Sequence, residues 1–335
     1  MRRTVRNISV VTVLLLSLFL MNIFLGPVDI PFRDILSVFT SRPSDDAVTY
    51  VVMQNRLPQA VTALLAGSGL ALAGLILQTL FHNPLAGPSV LGITNGASLG
   101  VAIVMLATNG MLMSVTTGLW GYVLVIFAGL VGALLVTSFL LLLSTMVRSS
   151  LVLLVTGIML SYIISSIITL LTFNASATGV QQYVLWGMGD FSLVSLTMLP
   201  WFSAVVTASL LACLPLVKAL NVLQLGTGYA ESLGISVGRS RNILLLTTGV
   251  LCAVITAFCG PVSFLGLAVP HIVRFVFRTD DMRTLMPYTI VFGGGVALLC
   301  NVICTSLTSS VLPLAAVTPF IGVPVIMWVM LTGKR

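Results

Sequence analysis

Apolar runs too long for a soluble core recur from one end of this chain to the other. VTVLLLSLFL (Val11–Leu20) and YVLVIFAGLVGALLVTSFLLLL (Tyr122–Leu143) are typical, and about 20 such residues cover the roughly 30 Å hydrocarbon core of a bilayer. A backbone in lipid must satisfy its own hydrogen bonds, which leaves helices or a closed barrel. Barrel strands alternate lumen-facing and lipid-facing residues over about 10 positions, and these runs do not alternate. Of 335 residues, 58% are hydrophobic and 7% charged, with a mean hydropathy of +1.16. No soluble linker or low-complexity segment interrupts them. Residues 1–335 therefore read as a single all-α integral membrane domain.

Hydropathy, with Gly, Pro and charge clusters as punctuation, places about ten helices. Their approximate limits are 8–25, 57–81, 91–107, 115–146, 151–173, 191–216, 242–259, 262–277, 287–306 and 312–332. The first follows MRRTVRN and resembles a signal peptide, but its apolar core is long and no small-x-small cleavage site follows, so it reads as the first span.

Basic residues orient the spans. With both termini in the cytoplasm, twelve of the fifteen Lys and Arg fall inside: Arg2, Arg3, Arg6, Arg148, Lys218, Arg239, Arg241, Arg274, Arg278, Arg283, Lys334 and Arg335. Arg33, Arg42 and Arg56 fall outside, with Asp29, Asp34, Asp45, Asp46 and Asp190. Positive charge concentrates on the inner side of a membrane. The net charge of +7 thus follows from topology and neighbouring anionic lipid, and no nucleic acid is needed to explain it.

The spans contain almost no ionisable side chains. Asp190 sits at a span edge, and His271 and Arg274 approach the end of the eighth span. An ion-driven carrier ordinarily places a carboxylate near mid-membrane, so its lack here disfavours secondary transport, the alternative reading. An intramembrane enzyme would need a nucleophile and base or a metal cluster, and none is apparent; no catalytic residue is expected. Cys300 and Cys304 lie one turn apart, and a soft metal could bridge them. With no His or acid nearby, they and Cys213, Cys252 and Cys259 read as small packing residues, not metal ligands. No Gly-rich loop ends in Gly-Lys-Ser/Thr, so any pumping energy comes from a partner.

Two polar interruptions stand out. HNPLAGPSVLGITNGA (His82–Ala97) stops one helix at Pro84 and Pro88 and starts the next, and Asn83 leaves an amide free to face a cavity. Read from its residues alone, it is a turn between two helices. KALNVLQLGTGYAESLGISVGRSRN (Lys218–Asn242) reads as two short helices, Thr227–Leu233 and Ser236–Ile243, hinged where Gly234 caps one and Ser236 the next. Tyr229, Leu233, Ile235 and Val237 would crown the bend. Such an elbow suits a groove on a cytoplasmic protein or the plane of the lipid headgroups.

In the fifth span Ser161, Ser165, Thr169 and Thr172 recur at four, four and three residues, placing hydroxyls on one face. They could line a passage, bond back to their own helix, or bond across to a neighbour.

RLPQAVTALLAGSGLALAGLILQTLFHNPLAGPSVLGITNGASLG from Arg56, GYAESLGISVGRSR from Gly228, CGPVSFLGLAVPHIVRF from Cys259 and VTPFIGVP from Val317 resemble, in order, the FecCD-type permeases. These are the membrane subunits of ABC importers for iron-siderophores, haem and cobalamin. The resemblance implies a type II ABC importer permease: ten helices, a homodimer around a central pathway, and two cytoplasmic ATPase subunits carrying ATP and Mg. A periplasmic or lipid-anchored substrate-binding protein docks outside, and the location is the inner membrane.

By family position, Asn83, Leu85, Ser149 and Ser150 form the cytoplasmic gate, and the fifth helix, with Ser161, Ser165, Thr169 and Thr172, lines the pathway. Tyr229, Ala230, Leu233, Gly234, Ile235 and Val237 sit in the coupling segment, while Arg56 and Gln59 belong to the docking element for the binding protein. The family's second docking arginine is replaced by Gln59. Cys300, Cys304 and Val311 replace charged residues near the last loop, and Ala315 replaces a glycine. Docking then rests on fewer charges, unless Arg33 or Arg42 compensates. His82 invites comparison with a haem ligand but reads as an interfacial residue.

Overall fold

The computed structural model describes residues 2–40, 45–107, 119–147, 149–307 and 310–332. Arg42, Arg148, Lys334, Arg335 and the start of the span expected at 115 lie outside the described residues. In chain order the helices are α1 (Arg2–Phe24), α2 (Phe32–Phe39), α3 (Asp46–Leu80), α4 (Ile93–Ala107), α5 (Leu119–Met146), α6 (Ser150–Asn174) and α7 (Ala177–Gly187). They continue with α8 (Leu199–Leu223), α9 (Thr227–Ser232), α10 (Val237–Cys259), α11 (Leu265–Phe277), α12 (Met282–Ser306) and α13 (Leu314–Thr332).

Six of them, α3, α5, α6, α8, α10 and α12, are long and apolar enough to cross a membrane, and shorter apolar helices run over Val11–Phe24, Ile93–Ala107, Leu265–Phe277 and Leu314–Trp328. Helices thus occupy the positions of the expected spans, with differences at their starts. α3 begins at Asp46, capped by the Asp45 carboxylate on the Ala47 N–H, and reaches Leu57 through a π turn over Val51–Arg56. Pro58 explains the wider turn, because its ring has no N–H and crowds the carbonyl four residues back. α8 starts at Leu199, well after 191, because Asp190 caps a 3-10 turn over Phe191–Leu193.

α3 is the hub, with 83% of its most apolar window buried against α12, α11, α10 and α8. Small residues allow this. A Cβ on Gly67 would lie 2.3 Å from the Gly293 carbonyl oxygen of α12, and one on Gly74 only 1.8 Å from the Gly266 carbonyl oxygen of α11. Helices already in lipid gain little from burying apolar surface, so close van der Waals contact between backbones is what joins them. α4 meets α5 by the same device, Gly96 against Gly132 and Gly100 against Ala128. α6 and α8 are the opposite case: only 22% of each window is buried, and Tyr162, Leu170, Phe173 and Trp201 stand exposed.

The connections gather at two ends. At one, the elbow end, the His271 Nε2–H donates to the Pro84 carbonyl at 3.0 Å, Asn221 bonds Asp281 at 2.8 Å and Arg241 bonds the Val147 carbonyl at 2.9 Å. At the far end the Asp190 N–H donates to the Cys259 carbonyl and the Ala315 N–H to the Met188 carbonyl, both at 2.9 Å. Cys300 and Cys304 are buried in the core between these ends.

The Gly74 contact gives a direct expectation. Gly74→Ala must push α3 and α11 apart and should cost about 1–3 kcal/mol in thermal unfolding of the purified protein in detergent. Gly238, where an added Cβ would meet nothing within 4 Å, is the control: Gly238→Ala should be neutral or stabilise by about 0.5–1 kcal/mol, since alanine favours a helix over glycine.

Candidate functional site

The elbow is built by local backbone chemistry. α9 ends where Gly234 adopts φ +79°, a conformation glycine holds without steric cost. The Gly234 N–H then donates to the Glu231 carbonyl at 3.0 Å and the Ile235 N–H to the Ala230 carbonyl at 3.1 Å, satisfying carbonyls that the helix end leaves open. Gly234 is thus the cap expected of it. Ser236 stands at the head of the next helix, but its hydroxyl makes no capping bond.

The second short helix, expected over Ser236–Ile243, is not separate: it is the first part of α10, which runs unbroken to Cys259. Nothing between Val237 and Cys259 breaks the helical register, and Arg241 pins its start. Of the residues expected to crown the bend, Tyr229 (53% exposed) and Leu233 (55%) do so, joined by Leu225 (66%), which the sequence reading passed over. Ile235 and Val237 are half-buried against the core, and Ala230 is fully buried, so these three seat the elbow on the bundle and do not present it.

Beside the elbow lies the loop from His82 to Gly92. The Asn83 side-chain oxygen accepts the Leu85 N–H at 2.9 Å, an Asx turn that commits part of the amide to the loop itself, and Leu85 is half exposed. The loop's far end rests on α6: a Cβ on Gly92 would sit 2.8 Å from the Ser161 hydroxyl, and one on Gly157 would sit 3.1 Å from Leu91. Ser149 is exposed and caps α6, accepting the Val152 N–H at 3.4 Å, and Ser150 is the first helical residue. Both expected gate elements therefore occupy the elbow end, at the N-terminal third of α6.

The hydroxyls of α6 bond mainly within the helix. Ser161 donates to the Gly157 carbonyl at 2.9 Å, Thr169 to the Ser165 carbonyl at 2.9 Å and Thr172 to the Ile168 carbonyl at 2.8 Å. Ser165, Ser166 and Thr169 are nevertheless exposed, among Met159, Tyr162, Ile163, Leu170 and Phe173. The exposed face is apolar, with its hydroxyls largely satisfied. Such a wall offers a passing molecule contact area and few strong hydrogen bonds.

Two expectations about the far end are corrected. Arg56 does not present its charge to a partner: it is buried, and its guanidinium donates to the carbonyls of Ile23 (3.1 Å), Phe24 (3.0 Å) and Val28. Those carbonyls lie at and beyond the end of α1 and have no intrahelical donors, which makes a buried cation favourable there. Gln59 is also buried. Its amide donates to Asn301 at 3.2 Å, Asn301 to Asn22 at 2.7 Å and Asn22 to the Leu298 carbonyl at 3.1 Å, an amide chain tying α3 to α12 and α1. Arg33, on α2, is exposed.

His82 is exposed, as an interfacial residue is expected to be, and it is also tied down. Its Nε2–H donates to the Leu223 carbonyl at 2.9 Å, so the ring binds the loop to the foot of α8. The sequence reading also missed Asn221, which accepts the Met282 N–H at 2.7 Å and donates to Asp281 at 2.8 Å. The Arg283 N–H and that amide hold the Asp281 carboxyl below the ordinary carboxylate range. An asparagine in a polar loop carries no signal for such a role. Asn22 and Asn301, amides inside apolar helices, did carry one.

Comparison with known proteins follows the same lines. The model of the FecCD transport family matches residues 14–332. A vitamin B12 import system permease protein, BtuC, from Citrobacter koseri is 33% identical over 335 residues, covering 100% of this chain and 96% of its own length. BtuC from Serratia proteamaculans is 32% identical over 302 residues, covering 89% and 86%. Among solved structures, an inward-facing conformation of a metal-chelate type ABC transporter superposes with a TM-score of 0.84 at 25% identity, over 97% of this chain and 98% of that one.

The burial of Arg56 yields an expectation opposite to a docking role. Arg56→Ala should lower stability by about 1.5–3 kcal/mol, the scale of hydrogen bonds to a charged group, with Arg56→Lys recovering part of it in thermal unfolding. An unchanged melting temperature alongside weakened binding-protein affinity would restore the docking reading.

Proposed function

From a chain that belongs to the FecCD transport family and is the permease of an ABC importer of the BtuC and FecCD type, we propose a transport subunit whose cargo is a bulky metal chelate of the cobalamin, haem or ferric-siderophore class. The observation that carries the cargo class is the full-length match to vitamin B12 import permeases together with the fold of a metal-chelate type transporter. The apolar, hydroxyl-dotted face of α6 supports it, because a large cargo of mixed polarity must slide along such a wall without being trapped.

The same reading assigns the remaining parts. The ten helices span the inner membrane with both termini in the cytoplasm, a topology that the basic residues of the elbow end support. A second copy faces α6 across the pathway and completes it as a homodimer. Tyr229, Leu233 and Leu225 enter clefts on two ATPase subunits, which hold ATP and Mg; this chain supplies no catalytic residue. A substrate-binding protein delivers cargo at the far end, where Arg33 replaces Arg56 as the exposed cation for electrostatic steering.

Uptake into proteoliposomes tests the whole assignment. Permease, ATPase and binding protein together should accumulate radiolabelled cobalamin, haem or a ferric siderophore only with ATP inside the liposome compartment that holds the ATPase, and the cargo accepted names the class. Uptake driven by a proton or sodium gradient without ATP would replace this reading with secondary transport.

A further inference from the structure

Each of the two gate elements is joined to a different limb of the elbow. On the first limb, the His82 Nε2–H donates to the carbonyl of Leu223, the last residue of α8 before the elbow; His82 immediately precedes Asn83. On the second limb, Arg241 of α10 donates to the carbonyls of Ser144 and, at 2.9 Å, Val147. The Ser144 hydroxyl donates to Asn242 at 2.8 Å. Val147 lies two residues before Ser149. The ties reach 141 residues along the chain in the first case and 94 to 98 in the second, so neither is a by-product of local folding.

We infer that His82 and Arg241 are positioning residues that carry displacement of the elbow to the gate, His82 to Asn83–Leu85 and Arg241 to Ser149–Ser150. The inference rests on the transport reading above and adds to it the specific contacts through which the elbow acts. Arg241 is buried, and at the end of α5 it faces carbonyls that have no intrahelical donors. Pulling it away would leave a guanidinium and helix-end carbonyls unpaired in a poorly hydrated place, so dragging α5's end along is the cheaper response to force on the elbow.

His82 adopts φ +48°, unusual for a residue with a Cβ. Its backbone turns back so that the ring reaches Leu223, while the His271 ring grips the Pro84 carbonyl from α11 at 3.0 Å. Both histidines of the chain therefore hold this one loop. The loop is clamped on one side to a bundle helix and on the other to the limb that moves, which is the arrangement a lever needs.

The complete complex of permease, ATPase and binding protein, reconstituted in liposomes, provides the test. His82→Ala and Arg241→Met should leave ATP hydrolysis running while uptake per ATP falls about tenfold, the scale of one lost hydrogen bond. His82→Gln, whose amide can reach the same carbonyl, should restore most of the ratio; a merely structural loss would not separate hydrolysis from uptake. If Arg241→Met fails to assemble, the exposed His82 position decides through its Ala and Gln variants alone. Unchanged uptake per ATP in His82→Ala would overturn the inference and leave the transport reading standing, whereas absence of ATP-dependent uptake by the unaltered complex would overturn that reading itself.

Discussion

Backbone-to-backbone contact at Gly67 and Gly74 of α3 is the constraint on which the rest of the structure depends. At 2.3 Å and 1.8 Å from a hypothetical Cβ, the facing carbonyls of α12 and α11 leave room for a hydrogen atom and nothing more. Those contacts fix α3, α11 and α12 as one block in a medium where apolar burial cannot hold helices together. Loops leaving the block at the elbow end take their hinge points from its position: His82 follows α3, the clamp on Pro84 comes from α11, and Asn221 is fastened to the head of α12. The far end inherits it too, through the amide chain from Gln59 to Asn301 and Asn22.

Against this block, α6 and α8 are loosely held. Each buries only 22% of its apolar window within this chain, and α6 carries both the second gate element and the face open to a partner. The molecule thus divides into a closely packed block and helices with bare faces, and the elbow touches both. Tight glycine packing near moving parts is what allows small displacements to be transmitted instead of absorbed, since close-packed interiors deform little.

Most of the fold was legible because membrane spans announce themselves by length and hydropathy. Helix starts were less so: Pro58 hid a π turn that extends α3 back to Asp46, and Asp190 capped a short turn that delays α8. At the elbow, Gly234 was readable from its type alone, but the separate second helix was not real, because nothing in the residues after Ser236 interrupts the helix. The far-end arginine was misjudged for a clear physical reason. Sequence shows a charge and its side of the membrane, not whether neighbouring helix-end carbonyls have already claimed it. The long-range ties of His82, Asn221 and Arg241 run to backbone carbonyls or loop residues and leave no trace in residue type.

The central claim is that elbow and gate move together relative to the packed block. Spin labels at Leu233→Cys, Leu85→Cys and Leu299→Cys, each exposed in the structure while the five native cysteines are buried, allow distances to be read by pulsed electron paramagnetic resonance in the complex with and without ATP. The account predicts that the distance from 233 to 85 holds while that from 233 to 299 changes on ATP binding. A changing 233 to 85 distance with the 233 to 299 distance constant would contradict it.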